Sequence, residues 1–367
     1  MAFNFRQLKN LDWSLLLVAT FLVLTGLSVI YSITPGQSVP DYTLLNKQII
    51  FFVIGLILFL IFLFLDYRLI GSIGWFFYGI SVLALVLVLF LGPSIHGTRS
   101  WFRFLGFTFQ PIELAKVGVV IFLAKFLSNR ATNRLVLKDF ILSFIIILIP
   151  IVLVLTQPDL GSALILIITW FIMVWFSGLQ KKHLYLVLLT IIIISTLSWF
   201  FILAPYQKDR ILNFIDSNRD LFGAGYNVRQ SIIAIGSGGL LGRGLGLGTQ
   251  SQLHFLPETE ADFIFASLAE ELGFLGCMFI LVLYSLFFLR FYKAIRLSRD
   301  DFSLLLALGF LSIFFFQVAV NIGMSLGLLP VTGLPLPFIS SGGSFLIISF
   351  IMLGIIQSLI VRNKGVV

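Results

Sequence analysis

Charge is scarce in this chain of 367 residues: Asp, Glu, Lys and Arg make up 11% of it, under half of the roughly 25% usual in a water-soluble domain. With 59% apolar residues and a mean hydropathy of +1.09, a soluble globular domain is excluded and the solvent must be a bilayer. The strict alternation of a membrane barrel is missing too, and open sheets cannot exist in lipid, so only helices remain. A single cysteine, Cys277, excludes an internal disulfide framework. The three histidines, His96, His183 and His254, lack the spacing of zinc ligands. There is no Ser/His/Asp elbow. The "GRGLGLG" run at 242–248 lacks the Lys-Ser/Thr ending and βαβ frame of a nucleotide loop. The net charge of +8 therefore speaks to topology and anionic lipid rather than to nucleic acid, for which no surface with base-reading groups is visible.

What the chain has in abundance is long apolar runs. Cut at the roughly 20 residues needed to cross a hydrocarbon core, they give about ten spans. These lie near 13–32, 48–65, 74–92, 112–127, 140–156, 161–179, 184–204, 262–289, 302–328 and 343–361. The expected fold is an all-α polytopic membrane helix bundle, one integral membrane domain over 1–367, with a large extracytoplasmic loop (205–261) between helices 7 and 8. Arg6 and Lys9 precede the first span without a small-residue cleavage site after it, which reads as a retained anchor. With the N-terminus cytoplasmic, fifteen of the 24 Lys and Arg fall inside and nine outside, the positive-inside sense, with both termini cytoplasmic. The long loop is apolar and Gly-rich, which argues against disorder and for a segment lying at or re-entering the membrane surface. Its outward cations, with Arg103 and Lys116 nearby, are partly what any translocated loop carries; Arg also suits an anion such as phosphate.

Five of the sixteen acids crowd into "LPETEADFIFASLAEELGFLG", 256–276. By local rules Asp262 is an ordinary N-cap or first-turn carboxylate. Glu270 and Glu271 are the anomaly, lying about 12 Å further along a continuous helix, near mid-membrane, where carboxylates need a partner or a wet cavity. Their plain alternative is a structural ion pair or a neutral, protonated acid inside the bundle. In "GTRSWFRFLGFTFQPIELAKVG", Gln110-Pro111 marks a helix start and Glu113 and Lys116 share a face at i,i+3, as a self-satisfying salt bridge or as functional groups. "TQPDLGS" at 156–162 reads as a turn: Pro158 ends one helix, Asp159 caps the next and Gly161 permits close packing. "LLPVTGLPLPFISSGGS" at 328–344 reads as a re-entrant connection. Ser340, Ser341 and Ser344 with Gly342 and Gly343 start the last span there, as a plain turn or as an anion seat of backbone amides.

Taken in order, "GTRSWFRFLGFTFQPIELAK", "TQPDLGSAL", "YQKDRILNFID", "YNVRQSIIAIGSGGLLGRGLGLGTQSQLHFLPE", "DFIFASLAEELGFLG" and "NIGMSLGLLPVTGLPLPFISSGGS" resemble the SEDS family of bacterial cell-wall polymerases over most of the chain. "GLPLPF" is more similar to the family's elongation members than to its division members. The resemblance implies a peptidoglycan glycosyltransferase that polymerises lipid II by inversion, with undecaprenyl pyrophosphate leaving, in the bacterial cytoplasmic membrane. It implies Asp262 as the catalytic residue. Glu113, Lys116, Asp159, Arg103, Arg210, Arg229 and Ser344 would bind substrate or line its cavity, with Glu270 and Glu271 as support. It further implies a class B penicillin-binding protein and the elongation machinery as partners, and a divalent cation, Mg2+ or Mn2+, as the cofactor to test, with no nucleotide or organic cofactor. Departures fall at Glu260-Ala261, Ile112 and Ser341. A transporter that flips lipid II is the rival class.

Overall fold

The computed structural model describes residues 9–34, 41–94, 98–104, 106–130, 136–178, 224–253 and 255–364, with isolated positions between 179 and 223. The apolar runs form helices α1 (Trp13–Ile33), α2 (Thr43–Phe64), α3 (Tyr67–Ser72), α4 (Gly74–Leu91), α5 (Pro111–Ser128), α6 (Leu137–Thr156) and α7 (Leu160–Phe176). After these come α8 (Ala224–Ser237), the single turn α9 (Thr249–Gln252), α10 (Ile264–Arg296), α11 (Asp301–Ser325) and α12 (Gly343–Lys364). A small antiparallel hairpin, β1 (Phe102–Phe104) and β2 (Phe107–Phe109), pairs Phe102 with Phe109 and Arg103 with Thr108.

Nine of the expected spans coincide with helices; the seventh, 184–204, lies outside the described residues apart from isolated positions. Among the described residues, seven helices are long and apolar enough to cross a membrane. α7 is one residue short of that length, and α5 carries Glu113, Lys116 and Lys125 along its 18 residues. The molecule is thus an all-α, multi-pass membrane bundle. α12 is buried on nearly all sides, as an apolar helix without a polar face must be at the centre of a bundle. It lies against α2 at close range because Gly354 has no side chain: a Cβ there would sit 2.6 Å from the Phe59 carbonyl oxygen.

The expected continuous helix from 262 is broken. Gly273 has φ 67° and ψ −165°, a conformation open to glycine and strained for other residues. The break exposes helix backbone groups, and the Gly-rich segment before it satisfies them. Arg243 and Gly244 amides donate to the Glu270 and Glu271 carbonyls at 3.0 Å, while Phe274 and Leu275 donate to Gly239 and Leu240 at 2.9 and 3.1 Å. Irregular backbone at membrane depth is tolerated only where protein supplies such partners. Glu270 and Glu271 therefore stand at the end of a short first segment, not midway along an unbroken helix.

Their carboxylates hold the same loop. Glu270 accepts from the Gln250 amide (2.8 Å), the Ser251 amide (3.1 Å) and the Ser251 hydroxyl (2.9 Å). Glu271 accepts from the Gly246 amide (3.1 Å) and, across the bundle, from the Ser32 hydroxyl (2.6 Å). Replacing Glu270 with leucine leaves those buried donors unpaired at about 1–3 kcal/mol each. The expected result is a lowered Tm of the purified protein with proteolytic cleavage newly confined to 238–253; a Tm within a degree of the parent would remove the clamp.

Candidate active site

Asp262 lies in the turn that leads into α10, half-buried. It is not the cap expected from sequence: Phe263 occupies the N-cap position, without a side-chain cap bond. Its backbone is instead fixed by a non-helical arch, residues 328–342, that crosses between α11 and α12. Asn321, fully buried on α11, donates its Nδ2 to the carbonyls of Asp262 (2.9 Å) and Leu334 (2.7 Å), tying turn to arch. Ser340 Oγ donates to the Ala261 carbonyl (2.6 Å) and accepts from the Leu336 amide (2.8 Å); the Ser341 amide donates to the Glu260 carbonyl (2.8 Å). The Asp262 carboxylate faces Gly333: a Cβ on that glycine would stand 3.5 Å from Oδ2.

Asp159 starts the helix that packs on the same arch. It caps α7, accepting from the Ser162 amide (2.9 Å) and hydroxyl (2.7 Å). Two residues on, Gly161 packs so tightly on the arch that a Cβ would meet the Thr332 carbonyl oxygen at 2.9 Å. Glu113 is within electrostatic reach of Asp159 and holds Lys116 Nζ with both oxygens, at 2.8 and 2.9 Å. Both members of that pair are buried, and the ammonium also stands 5.4 Å from the centre of the Phe345 ring. Ser344, the neighbour of Phe345, accepts from the Gln110 amide (3.0 Å) and donates to the Thr108 carbonyl (3.1 Å), joining the start of α5 to the start of α12.

The arch and the start of α12 thus gather the N-terminal ends of α5, α7, α10 and α12 at one end of the bundle, the end that carries Asp262, Asp159, Glu113, Lys116 and Ser344. The sequence separates them by up to 231 positions. Helix N-termini carry partial positive charge, so four of them converging favour an anionic ligand. Three of the backbone amides read from sequence as an anion seat are engaged: Ser340 donates to the Leu336 carbonyl at 3.0 Å, Ser341 to that of Glu260 and Gly342 to Gln48 Oε1 at 3.3 Å. Arg103 is exposed on β1, and Arg229 is half-buried on α8, which packs on α10 and α11. Arg210 lies outside the described residues. Among the described residues no three His, Cys, Asp or Glu side chains come together to hold a metal.

Asn321 went unnoticed in the sequence, although an Asn inside an apolar span is itself a signal of a polar contact between helices. Asn321→Ala unpairs two carbonyls at the arch. It is expected to lower stability by about 1–3 kcal/mol and, through the displaced Asp262, turnover by up to about a hundredfold. The comparison of Tm with turnover in purified protein checks it; unchanged turnover would detach Asn321 from the site.

A multi-pass helix bundle with a buried, cross-wired polar site at one end defines a membrane protein that handles a ligand at the bilayer boundary, not a scaffold of apolar contacts. The chain belongs to the FtsW/RodA/SpoVE family of cell cycle proteins, which it matches over residues 7–365. It is 36% identical over 355 residues to the peptidoglycan glycosyltransferase MrdB of Escherichia coli K12, covering 97% of this chain and 95% of the relative. A chain in a solved peptidoglycan synthase complex, one that coordinates polymerization and crosslinking, superposes with a TM-score of 0.80 at 33% identity, covering 96% of this chain and 98% of the other. The rod shape determining protein RodA of Thermus thermophilus follows at a TM-score of 0.72 and 31% identity, covering 96% and 97%.

Proposed function

We propose that the chain is a peptidoglycan glycosyltransferase of cell elongation, which polymerises lipid II into β-1,4-linked glycan at the outer face of the bacterial cytoplasmic membrane. The observation that carries the reading is the placing of Asp262: one carboxylate whose backbone is fixed from α11 and the arch, at the end of the bundle where four helix N-termini meet.

The acceptor's GlcNAc 4-hydroxyl attacks the anomeric carbon of the donor's MurNAc. Its proton passes to Asp262 as the new C–O bond forms, the bond from that carbon to the pyrophosphate oxygen breaks, and undecaprenyl pyrophosphate departs from the opposite face with inversion. A general base needs hydrogen-bond reach to the hydroxyl more than any special free pKa. The departing negative charge is met by the helix N-termini, a task the family resemblance also gives to Arg229 and Arg210. Lys116 and Glu113 brace the wall and Ser344 ties two of its helices. A comparison of polymer yield with and without chelator decides whether the pyrophosphate brings a divalent cation, Mg2+ or Mn2+.

Both described termini lie at the opposite end: Gln357 near the end of α12 holds the backbone of Asp12 just before α1, at 2.8 and 3.1 Å. Arg290, Lys293 and Lys364 cluster there, which supports a cytoplasmic position for that end and an extracytoplasmic one for Asp262 and the 205–261 loop. By its likeness to a chain of a synthase complex, this protein is assigned a class B penicillin-binding protein as its crosslinking partner, within the elongation machinery. Labelled lipid II supplied to the purified chain, with and without that partner, should give glycan polymer. Transfer of lipid II across sealed vesicles with no polymer in any arm would replace this reading with a transporter.

A further inference from the structure

At the bundle end opposite Asp262, two cations stand at ion-pair distance from one buried carboxylate and a third lies within its electrostatic reach. Asp12 is 4% exposed; its Oδ1 accepts the Leu15 amide at 3.2 Å, and its Oδ2 accepts no hydrogen bond among the described residues. Arg290 Nη1 and Lys293 Nζ stand 3.9 and 3.8 Å from Oδ2, at ion-pair distance but beyond a hydrogen bond. Lys364 donates to the Asn10 carbonyl at 3.2 Å and lies within electrostatic reach of Asp12, Arg290 and Lys293. Nothing in the glycosyl transfer uses this cluster, which sits roughly 25 Å along α10 from the Gly273 break.

Cations at a helix end commonly snorkel to the membrane surface, and that accounts for their presence. It does not account for Arg290 and Lys293 converging on one carboxylate while their side chains stay 37% and 44% exposed and, among the described residues, donate no hydrogen bond. Arg carries five N–H donors and Lys three, so a fan of donors with excess positive charge is left facing outward. Trp13, next to Asp12, is 58% exposed and Leu289, next to Arg290, is 62% exposed, an aromatic and an apolar side chain where head groups meet acyl chains.

We infer that Arg290, Lys293 and Lys364, arranged around Asp12, form a binding site for the phosphate of an anionic phospholipid head group. Arg takes two phosphate oxygens and the lysines add point charges. Asp12 holds the cations in register and limits their excess, so the site favours a lipid with a net negative charge over a zwitterionic one.

The test uses the full chain in nanodiscs of phosphatidylcholine with a few per cent phosphatidylglycerol, retained lipid being counted by native mass spectrometry. Saturable retention of phosphatidylglycerol over phosphatidylcholine is expected. A cation near an anionic head group is worth about a factor of five, so R290Q/K293Q should weaken retention about thirtyfold. R290K/K293R should keep most of it. R296Q/R299Q, which removes two charges from the same end but away from Asp12, should change it less than twofold. Equal losses in the two neutralised variants would reduce the effect to bulk surface charge, and displacement of the lipid by millimolar inorganic phosphate would make the site one for free phosphate. Either result overturns the proposal. Polymer formation is read separately, so neither result touches the assignment of Asp262.

Discussion

Asp262→Asn is expected to cut glycan polymerisation by about 10²–10⁴-fold, the usual worth of a positioned general base, while the Tm of the purified protein stays close to that of the parent. The separation of the two effects follows from the geometry. Three bonds that fix this turn act on backbone atoms: Asn321 on the Asp262 carbonyl, Ser340 on the Ala261 carbonyl, the Ser341 amide on the Glu260 carbonyl. None of these bonds changes when the carboxylate becomes an amide of the same shape. Nor is the carboxylate the cap of α10, since Phe263 holds the N-cap position. The measurement is polymer length and yield from labelled lipid II beside a thermal melt. Turnover within twofold of the parent would remove Asp262 as the base, and a large fall in Tm would make its role structural.

The helices were legible because the bilayer sets their length: any apolar run near 20 residues has one low-energy solution in lipid. The break in α10 was not, because Gly273 is one of 31 glycines and what makes it a break is the pairing of 239–244 with backbone on both sides of it. Such pairing is a long-range fact that no window of sequence contains. For the same reason the depth assigned to Glu270 and Glu271 was drawn from an unbroken helix, and their partners, the amides of Gly246, Gln250 and Ser251, were out of sight. Glu113 with Lys116 and Asp159 with Ser162 were readable since each is settled within one helical turn. The arch that joins them to Asp262 was not. Its small residues announce a turn, while the bonds that make it a hub run to Asn321, Glu260 and Gln48, up to 294 positions away.

Lys116→Ala is expected to destabilise the bundle by about 3–5 kcal/mol, the cost of leaving a buried partner charge uncompensated. Lys116 is 0% and Glu113 2% exposed, and both Glu113 oxygens point at the one ammonium. With the lysine gone, the carboxylate must stay charged without a counterion or take up a proton. Glu113→Gln combined with Lys116→Met removes both charges at nearly constant volume, and buried ion pairs replaced in this way are often neutral or stabilising. The double variant should therefore recover most of the loss, and a double-mutant cycle of urea or thermal unfolding should give a coupling of 0.5–3 kcal/mol or more, the range for residues in contact. Activity separates bracing from chemistry. If the pair only holds the wall, the folded double variant polymerises lipid II at a rate near the parent's. If the Lys116 charge also faces the substrate's pyrophosphate, its stability returns without its turnover. Full stability in Lys116→Ala itself would mean that the pair is not buried as a unit, and that the start of α5 is wetter than its packing against Phe345 and Ser344 implies.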